Sequence, residues 1–177
     1  MPVCETDEVA HAVMQPDGPA YAGVVDRFGT DICRPDGTID RKRLGARVFA
    51  AEVERQALNG LVHPHVRRAW LDWVAAWQSR ASWVAVIIPL LYEVGAERDV
   101  DVVWCVTAPL KDVEERLRQR GLSPREIAQR LAAQWPLQAK RGRADYVIEN
   151  TGSEADLRAQ VQTALRRLEQ NERKKNG

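Results

Sequence analysis

The chain has 177 residues, which is enough for one domain with a hydrophobic core. Its 45% hydrophobic and 29% charged residues are ordinary for a globular protein, and no apolar run approaches the roughly 18 residues that span a membrane. The net charge of +1, without a basic patch interleaved with aromatic residues, argues against a nucleic-acid partner. No signal peptide is visible, so we expect a cytoplasmic protein.

The first half of the chain predicts helices after one short strand. Val3 and Cys4 can end a strand, and a helix is expected from residue 7 to residue 15, where "PDGP" stops it. Further helical segments are "AYAGVVDRFG", "IDRKRLGARVFA", "EVERQALNGLV" and "HPHVRRAWLDWVAAWQSRA". Pro64 fits a first-turn position, so His63-Pro64-His65 is expected to begin the last of these helices.

The second half alternates strands with helices. The runs "WVAVIIPLL" (residues 83–91) and "VDVVWCVTAP" (residues 100–109) are typical of strands buried on both faces. Thr107 is expected to cap the helix that runs to Gly121, and "SPRE" at residues 123–126 is a capping box for the next helix. A third strand, "DYVIEN", is followed by the amphipathic helix "LRAQVQTALRRLEQ".

This alternation predicts an α/β fold with a parallel sheet, in which residues 8–80 form a helical insertion. Ligands of open parallel sheets bind beyond the carboxyl ends of the strands. Asp7 follows the first strand and Glu93 follows "IIPLL", so both acids are expected at that edge. This is the strongest indication of a site that the residues give by themselves.

Other candidate residues have a structural reading beside the functional one. Trp70, Trp73 and Trp77 share one helix face, which favours core packing or a groove wall over ligand stacking. His63 has a side chain suited to acid–base work, but no Ser or Cys nucleophile stands out to form a triad with it, and a local structural role is the favoured reading. The three cysteines form no metal-binding spacing, and we expect free thiols and no metal site.

Basic residues are concentrated in two zones. Residues 41–68 contain seven Lys or Arg against two acids, and residues 111–143 contain nine against four. Two such zones suit anionic ligands, although solvated helix faces are the alternative. The cations of the second zone that could neutralise a polyphosphate are Arg116, Arg118, Arg120, Arg125 and Lys140.

The chain resembles the dephospho-coenzyme A kinase family over almost its whole length and in collinear order. The matching stretches include "VCETDEVAHAV", "DGTIDRKRLGARVF", "LNGLVHPHV", "IIPLLYE" and "RGLSPREIAQRLAAQWPLQAKRGRADYVIENTG". The resemblance implies a P-loop kinase core formed by residues 1–7 and 81–177, with a lid at about residues 115–143. Residues 8–80 would then be the helical substrate-binding domain.

The resemblance also implies the reaction, in which ATP, with Mg²⁺, gives its γ-phosphoryl group to the ribose 3′-hydroxyl of dephospho-CoA. Asp7 is the second of two acids one residue apart and would be the base. The residues implied in substrate binding are Glu5 (where Asp is more usual), Phe28, Arg41, Arg47, His63, Pro64 and Glu93. Those implied in neutralising the phosphates of ATP are Arg116, Arg120, Arg125 and Lys140.

One family motif is not found among these 177 residues. The glycine-rich phosphate loop, G-x-x-x-x-G-K-[ST], follows the first and central strand of the family sheet, whereas the eleven glycines here are scattered and none precedes Lys-Ser or Lys-Thr. We therefore expect a sheet without that strand, with ladder groups and apolar side chains exposed at the strands of residues 83–91 and 100–109.

Two interpretations follow from the missing motif. The favoured one is that the chain starts at an internal Met of a complete kinase. The alternative is a non-catalytic derivative that binds CoA-like ligands or a partner protein. In either case we expect the 177-residue chain to turn over little or no ATP.

Overall fold

The computed structural model describes residues 1–175, which contain four short strands and eight α-helices. The strands are β1 (Val3–Glu5), β2 (Ala85–Ile87), β3 (Trp104–Thr107) and β4 (Tyr146–Glu149). The helices are α1 (Thr6–Val13), α2 (Tyr21–Phe28), α3 (Arg41–Ala50), α4 (Glu52–Trp77), α5 (Leu110–Gln119), α6 (Pro124–Ala132), α7 (Leu137–Arg143) and α8 (Glu154–Lys175). The chain divides into two compact units, Met1–Pro89 and a second one that begins at Leu90.

The first unit joins one parallel strand pair to a helical core. β1 and β2 are parallel, with Val3 opposite Ala85 and Glu5 opposite Ile87. Apolar side chains of α1 to α4 and of the segments between them are removed from water together, which stabilises the unit. The buried members of this core are Val13, Ala20, Val24, Phe28, Ile32, Ile39, Leu44 and Val62.

Helix α4 corrects the prediction that a helix begins at His63. It is one helix of 26 residues with Pro64 inside it. An internal proline removes a hydrogen bond and its ring crowds the carbonyl of the residue four positions earlier, which here is Gly60. Val62 and Trp70 are buried on either side of the proline, so tertiary packing keeps the helix continuous. Trp70 is buried as the stripe predicted, whereas Trp73 and Trp77 pack against each other and are partly exposed.

The second unit contains the other parallel pair, β3 and β4, with Cys105 opposite Val147. The Gln160 side chain of α8 donates to the Glu149 carbonyl at 2.8 Å and accepts from the Glu149 N–H at 2.9 Å, which fastens α8 to β4. The apolar stripe predicted for this helix is confirmed. Its members, all buried or half-buried, are Leu157, Val161, Ala164, Leu165 and Leu168.

Local signals of the second unit are partly confirmed. Ser123 and Glu126 form the predicted capping box, with Pro124 in the first turn of α6. The predicted Thr107 cap is wrong, because α5 begins after Pro109 and the Thr107 hydroxyl lies 3.4 Å from the Ile148 carbonyl. The strands are shorter than predicted, because the flanking apolar residues lie in turns and loops.

The strands form two separate two-stranded parallel ladders, and no third strand within residues 1–175 pairs with either. The parallel pairing and the expected exposure of strand side chains are both confirmed. In the two strands concerned, Ile87 is 49% and Val106 is 62% exposed; Val3 of β1, which the expectation did not include, is 51% exposed. The predicted free thiols are confirmed as well, with Cys4 and Cys105 buried and Cys33 half-buried. Across the described residues, no helix has the length and apolarity to cross a bilayer.

Candidate active site

The junction of β1 and α1 places both acids of the predicted pair. Glu5 ends β1 and is exposed, while Asp7 lies in the first turn of α1, where its negative charge is favoured by the helix dipole. The Thr6 hydroxyl between them is buried and donates to the Ile87 carbonyl at 3.0 Å. That bond ties the start of α1 to the end of β2, so Asp7 stands on a fixed turn at the carboxyl edge of the ladder.

Asp7 lines a groove of about 310 Å³ within the first unit. Its polar lining consists of Asp7 and His11 from α1 and Arg41 from α3. Its apolar lining comes from α1 and the residue after it, α3 and α4, and consists of Ala10, Met14, Leu44, Val48 and Leu58, together with Gly45. The structure therefore brings two of the predicted site residues, Asp7 and Arg41, to one groove.

His11 was missed from the sequence. It lies four positions after Asp7 on the same helix, so the two side chains share one face, and helical spacing is the signal that could have found it. An acid, an imidazole and a guanidinium around an apolar floor suit a ligand that is both charged and apolar.

The start of α3 positions Arg41. The Asp40 carboxylate accepts hydrogen bonds from the N–H groups of Lys42 at 2.9 Å and Arg43 at 3.2 Å, which is an N-cap. The Arg43 N–H bond, followed by that of Lys42, lowers the pKa of Asp40 despite partial desolvation. Arg41 is exposed, and no side chain of residues 1–175 forms an ion pair with it.

Phe28 and Arg47 have structural partners. The Phe28 side chain is 3% exposed and belongs to the core, and its predicted contact with a substrate stays a prediction. The Arg47 guanidinium donates to the Phe28 carbonyl and to the Asp31 carboxylate. These bonds fasten α3 to the turn after α2, where Gly29 has a positive φ of 82°. Arg47 therefore joins two elements of the first unit.

His63 and Pro64 lie in the middle of α4. His63 is half-buried, and burial lowers its pKa, so the imidazole is neutral at pH 7 and can donate or accept one hydrogen bond at each nitrogen. Pro64 is exposed. Neither residue lines the groove that contains Asp7.

In the second unit, Glu93 and Lys140 contact each other. The Lys140 ammonium lies 2.8 Å from the Glu93 carboxylate, and the two side chains are only 11% and 12% exposed. Glu93 also accepts a hydrogen bond from the Trp135 N–H at 2.6 Å. Desolvation raises the pKa of Glu93, but the bonds from Lys140 and Trp135 outweigh it and the net shift is downward.

Three of the arginines predicted to form a lid have no acidic partner within residues 1–175. Arg116, Arg120 and Arg125, on and between α5 and α6, are exposed and have no ion-pair partner in the described part of the chain. Arg118, by contrast, pairs with Glu114 at 3.1 Å and Glu115 at 3.5 Å. The unpaired guanidinium groups are therefore the ones free to meet an anion.

The structure assigns no side chain to Mg²⁺. Residues 1–175 contain no group of three or more His, Cys, Asp or Glu side chains arranged for a metal ion. A Mg²⁺ ion bound with a nucleotide usually takes only one or two carboxylates and otherwise water and phosphate oxygens.

An acid at the carboxyl end of a parallel strand, with helices between the strands, is typical of an α/β fold that binds ligands at that edge. The class is that of P-loop kinase-like phosphotransferases, to which the matching family belongs. The family model that matches the chain, over residues 1–156, is that of dephospho-CoA kinase. The chain belongs to the dephospho-CoA kinase family, whose members are ATP-using transferases of coenzyme A biosynthesis.

Individual relatives agree with this assignment. The dephospho-CoA kinase of Anaeromyxobacter dehalogenans is 42% identical over 166 residues, which cover 93% of this chain and 79% of that protein. That of Shouchella clausii is 40% identical over 167 residues, covering 93% and 85%. The solved dephospho-CoA kinase of Campylobacter jejuni is 25% identical with a TM-score of 0.70, covering 97% of this chain and 87% of that one.

Proposed function

We propose that the chain binds dephospho-CoA at the groove of the first unit, with Asp7 as the base that accepts or orients the proton of the ribose 3′-hydroxyl. The observation that carries this proposal is that Asp7, fixed at the end of β1, shares one groove with Arg41 and an apolar floor. Dephospho-CoA combines anionic phosphates with a long pantetheine arm, whose methyl and methylene groups alternate with amides. The groove offers Arg41 to a phosphate and an apolar floor to the apolar parts of the arm.

The remaining residues of the first unit take different roles in this proposal. Arg41, exposed and unpaired within residues 1–175, would pair with a substrate phosphate. Glu5 would assist Asp7 by orienting the hydroxyl, and neutral His63 would offer a hydrogen bond to a distal part of the substrate. Arg47 and Phe28 support the site by holding α3 against the turn after α2. Pro64 would act on the site only through the shape of helix α4, in which it lies.

The exposed arginines of α5 and α6 would neutralise the phosphates of ATP. ATP supplies the γ-phosphoryl group, and its transfer depends on positioning and on neutralising charge on the equatorial oxygens, which Arg116, Arg120 and Arg125 would provide. Mg²⁺ would accompany ATP, as the resemblance to the family implies. In this proposal the protein acts in the cytoplasm, and the chain turns over little ATP because the phosphate-loop motif is absent from these 177 residues.

Titration calorimetry of dephospho-CoA into the purified chain tests the groove. We expect Arg41→Ala to weaken binding by about 10- to 100-fold, because a charge-assisted hydrogen bond contributes roughly 1.5–3 kcal/mol. The matched control is Arg68→Ala, which removes an exposed arginine that pairs with Asp72 on α4 and leaves affinity unchanged. Equal losses in both variants, or none in Arg41→Ala, would contradict the proposal.

A single-turnover assay with γ-labelled ATP tests the base, because it detects slow transfer. We expect Asp7→Asn to lower the rate by about 100-fold or more while dephospho-CoA affinity changes by less than about threefold. A variant that keeps the rate of the parent chain removes Asp7 from the base role. If the parent chain itself turns over as fast as a family member with its phosphate loop, the expectation of low turnover is wrong.

A further inference from the structure

Glu93 lies at the centre of a set of contacts that the roles proposed above do not explain. One of its carboxylate oxygens, Oε1, accepts from the Trp135 N–H at 2.6 Å and is 2.8 Å from the Lys140 ammonium. The Lys140 ammonium also donates to the Gln134 side chain at 3.3 Å. A single carboxylate thus holds both the connection between α6 and α7 and the helix α7 itself.

A second layer of contacts joins the same two segments. The rings of Tyr92 and Trp135 are stacked, with centroids 5.8 Å apart and planes inclined by 15°. The Arg143 guanidinium lies 5.5 Å from the Tyr92 ring and 5.2 Å from the Trp135 ring, within the range of cation–π attraction. The Arg143 guanidinium also lies 4.0 Å from the Glu97 carboxylate. We call these contacts between residues 92–97 and 134–143 the clasp.

The burial of the clasp makes it costly to open at one residue. If Lys140 turned away toward a phosphate, the Glu93 carboxylate would be left buried without its counter-charge. An uncompensated buried charge is strongly destabilising, so this movement would cost free energy. The second oxygens of Glu93 and Glu97 and the Tyr92 hydroxyl already lack a hydrogen-bond partner in the described part of the chain. Lys140 is therefore a poor candidate for a cation that moves between partners.

The arm formed by α5 and α6 has the opposite character. Helix α5 has no buried residue, and Ile127 is the buried residue of α6. Gly121, between the two helices, has a φ of 83° and no atom within 4 Å of where a Cβ would stand. The exposed arginines Arg116, Arg120 and Arg125 are all on this arm.

We propose that Glu93 is a positioning residue that holds the base of the lid. It fastens α7 and the connection before it to residues 92–97, Lys140 and Arg143 serve as holding contacts, and the arm of α5 and α6 alone presents cations to the polyphosphate. The part of this proposal that concerns ATP rests on the proposed function, whereas the fixed base does not.

Hydrogen–deuterium exchange of the full chain tests the fixed base without any ligand. We expect Glu93→Gln and Lys140→Met each to speed exchange in peptides of residues 134–143 by about tenfold or more, while β3 and β4 keep the rates of the parent chain. The matched control is Glu114→Gln, which removes a lid carboxylate that pairs with exposed Arg118 and leaves residues 134–143 unchanged.

The double variant Glu93→Gln/Lys140→Met separates pairing from general damage. Removing both charges leaves no uncompensated ion, so we expect its exchange to be slower than that of Lys140→Met alone. Unchanged exchange at residues 134–143 in the single variants would overturn the proposal. The proposal would also be overturned if exchange accelerated equally throughout the second unit and the double variant exchanged as fast as the single variants. These outcomes do not depend on ATP binding, so failure of the proposed function is seen separately in calorimetry.

Discussion

Replacing Phe28 by alanine distinguishes a core residue from a substrate contact. The side chain is 3% exposed and packs in the core of the first unit, so truncation removes buried apolar surface and leaves a cavity. Phe→Ala changes at such positions cost about 3–5 kcal/mol, a large share of the roughly 5–15 kcal/mol that stabilises a typical domain. With an m-value of about 1–3 kcal/mol/M in urea, a loss of 3 kcal/mol lowers the unfolding midpoint by about 1–3 M.

Urea unfolding followed by circular dichroism measures this change. The matched control is Val53→Ala, which truncates a side chain that is 67% exposed and should alter stability by less than about 0.5 kcal/mol. Phe28→Leu keeps most of the buried volume, so its loss of stability should lie between those of Phe28→Ala and Val53→Ala. If Phe28→Ala left the midpoint unchanged while dephospho-CoA affinity fell, the ring would be a ligand contact and the placement of Phe28 in the core would be refuted.

Two further predictions concern the first unit. Gly29→Ala should destabilise the chain by about 1–3 kcal/mol, because φ of 82° with ψ of 162° is a conformation almost exclusive to glycine and a Cβ would stand 2.8 Å from the Asp31 carboxylate oxygen. Gly60→Ala, in open space on a helix, should be neutral or stabilising, and equal thermal midpoints for the two variants would contradict this reasoning. His63 has a lowered pKa from burial, so its contribution to stability is present above its unfolded pKa of about 6.5 and is lost as the pH falls through the lower folded value. The thermal midpoint of the parent chain should therefore drop below about pH 6.5 more steeply than that of His63→Gln, and parallel pH profiles would refute the assignment.

Much of the fold could be predicted because its signals are local. The capping box at Ser123 and Glu126 satisfies N–H groups within one turn, and the apolar stripe of α8 needs only helical spacing. The acid at the end of β1 was found in the same way, since a strand end followed by a helix is readable from adjacent residues. The parallel pairing of the strands followed from the alternation of strands and helices.

Prediction from sequence fails where distant residues decide the structure. Pro64 reads as a helix start by its own preference, yet burial of Val62 and Trp70 keeps α4 unbroken around it. The contact between Glu93 and Lys140 could not be predicted, because nothing in the 46 intervening positions of sequence indicates it. Phe28 carries no local signal that distinguishes a core side chain from one that stacks on a ligand.

The outer edges of β2 and β3 have a practical consequence for the isolated polypeptide. Each strand pairs on one side only within residues 1–175, so half of its amide and carbonyl groups face no neighbouring strand. Such edges, flanked by the exposed Ile87 and Val106, are templates for intermolecular sheet growth. A sample should therefore stay monodisperse for a shorter time as the protein concentration rises. The substitution Val106→Lys should lengthen that time.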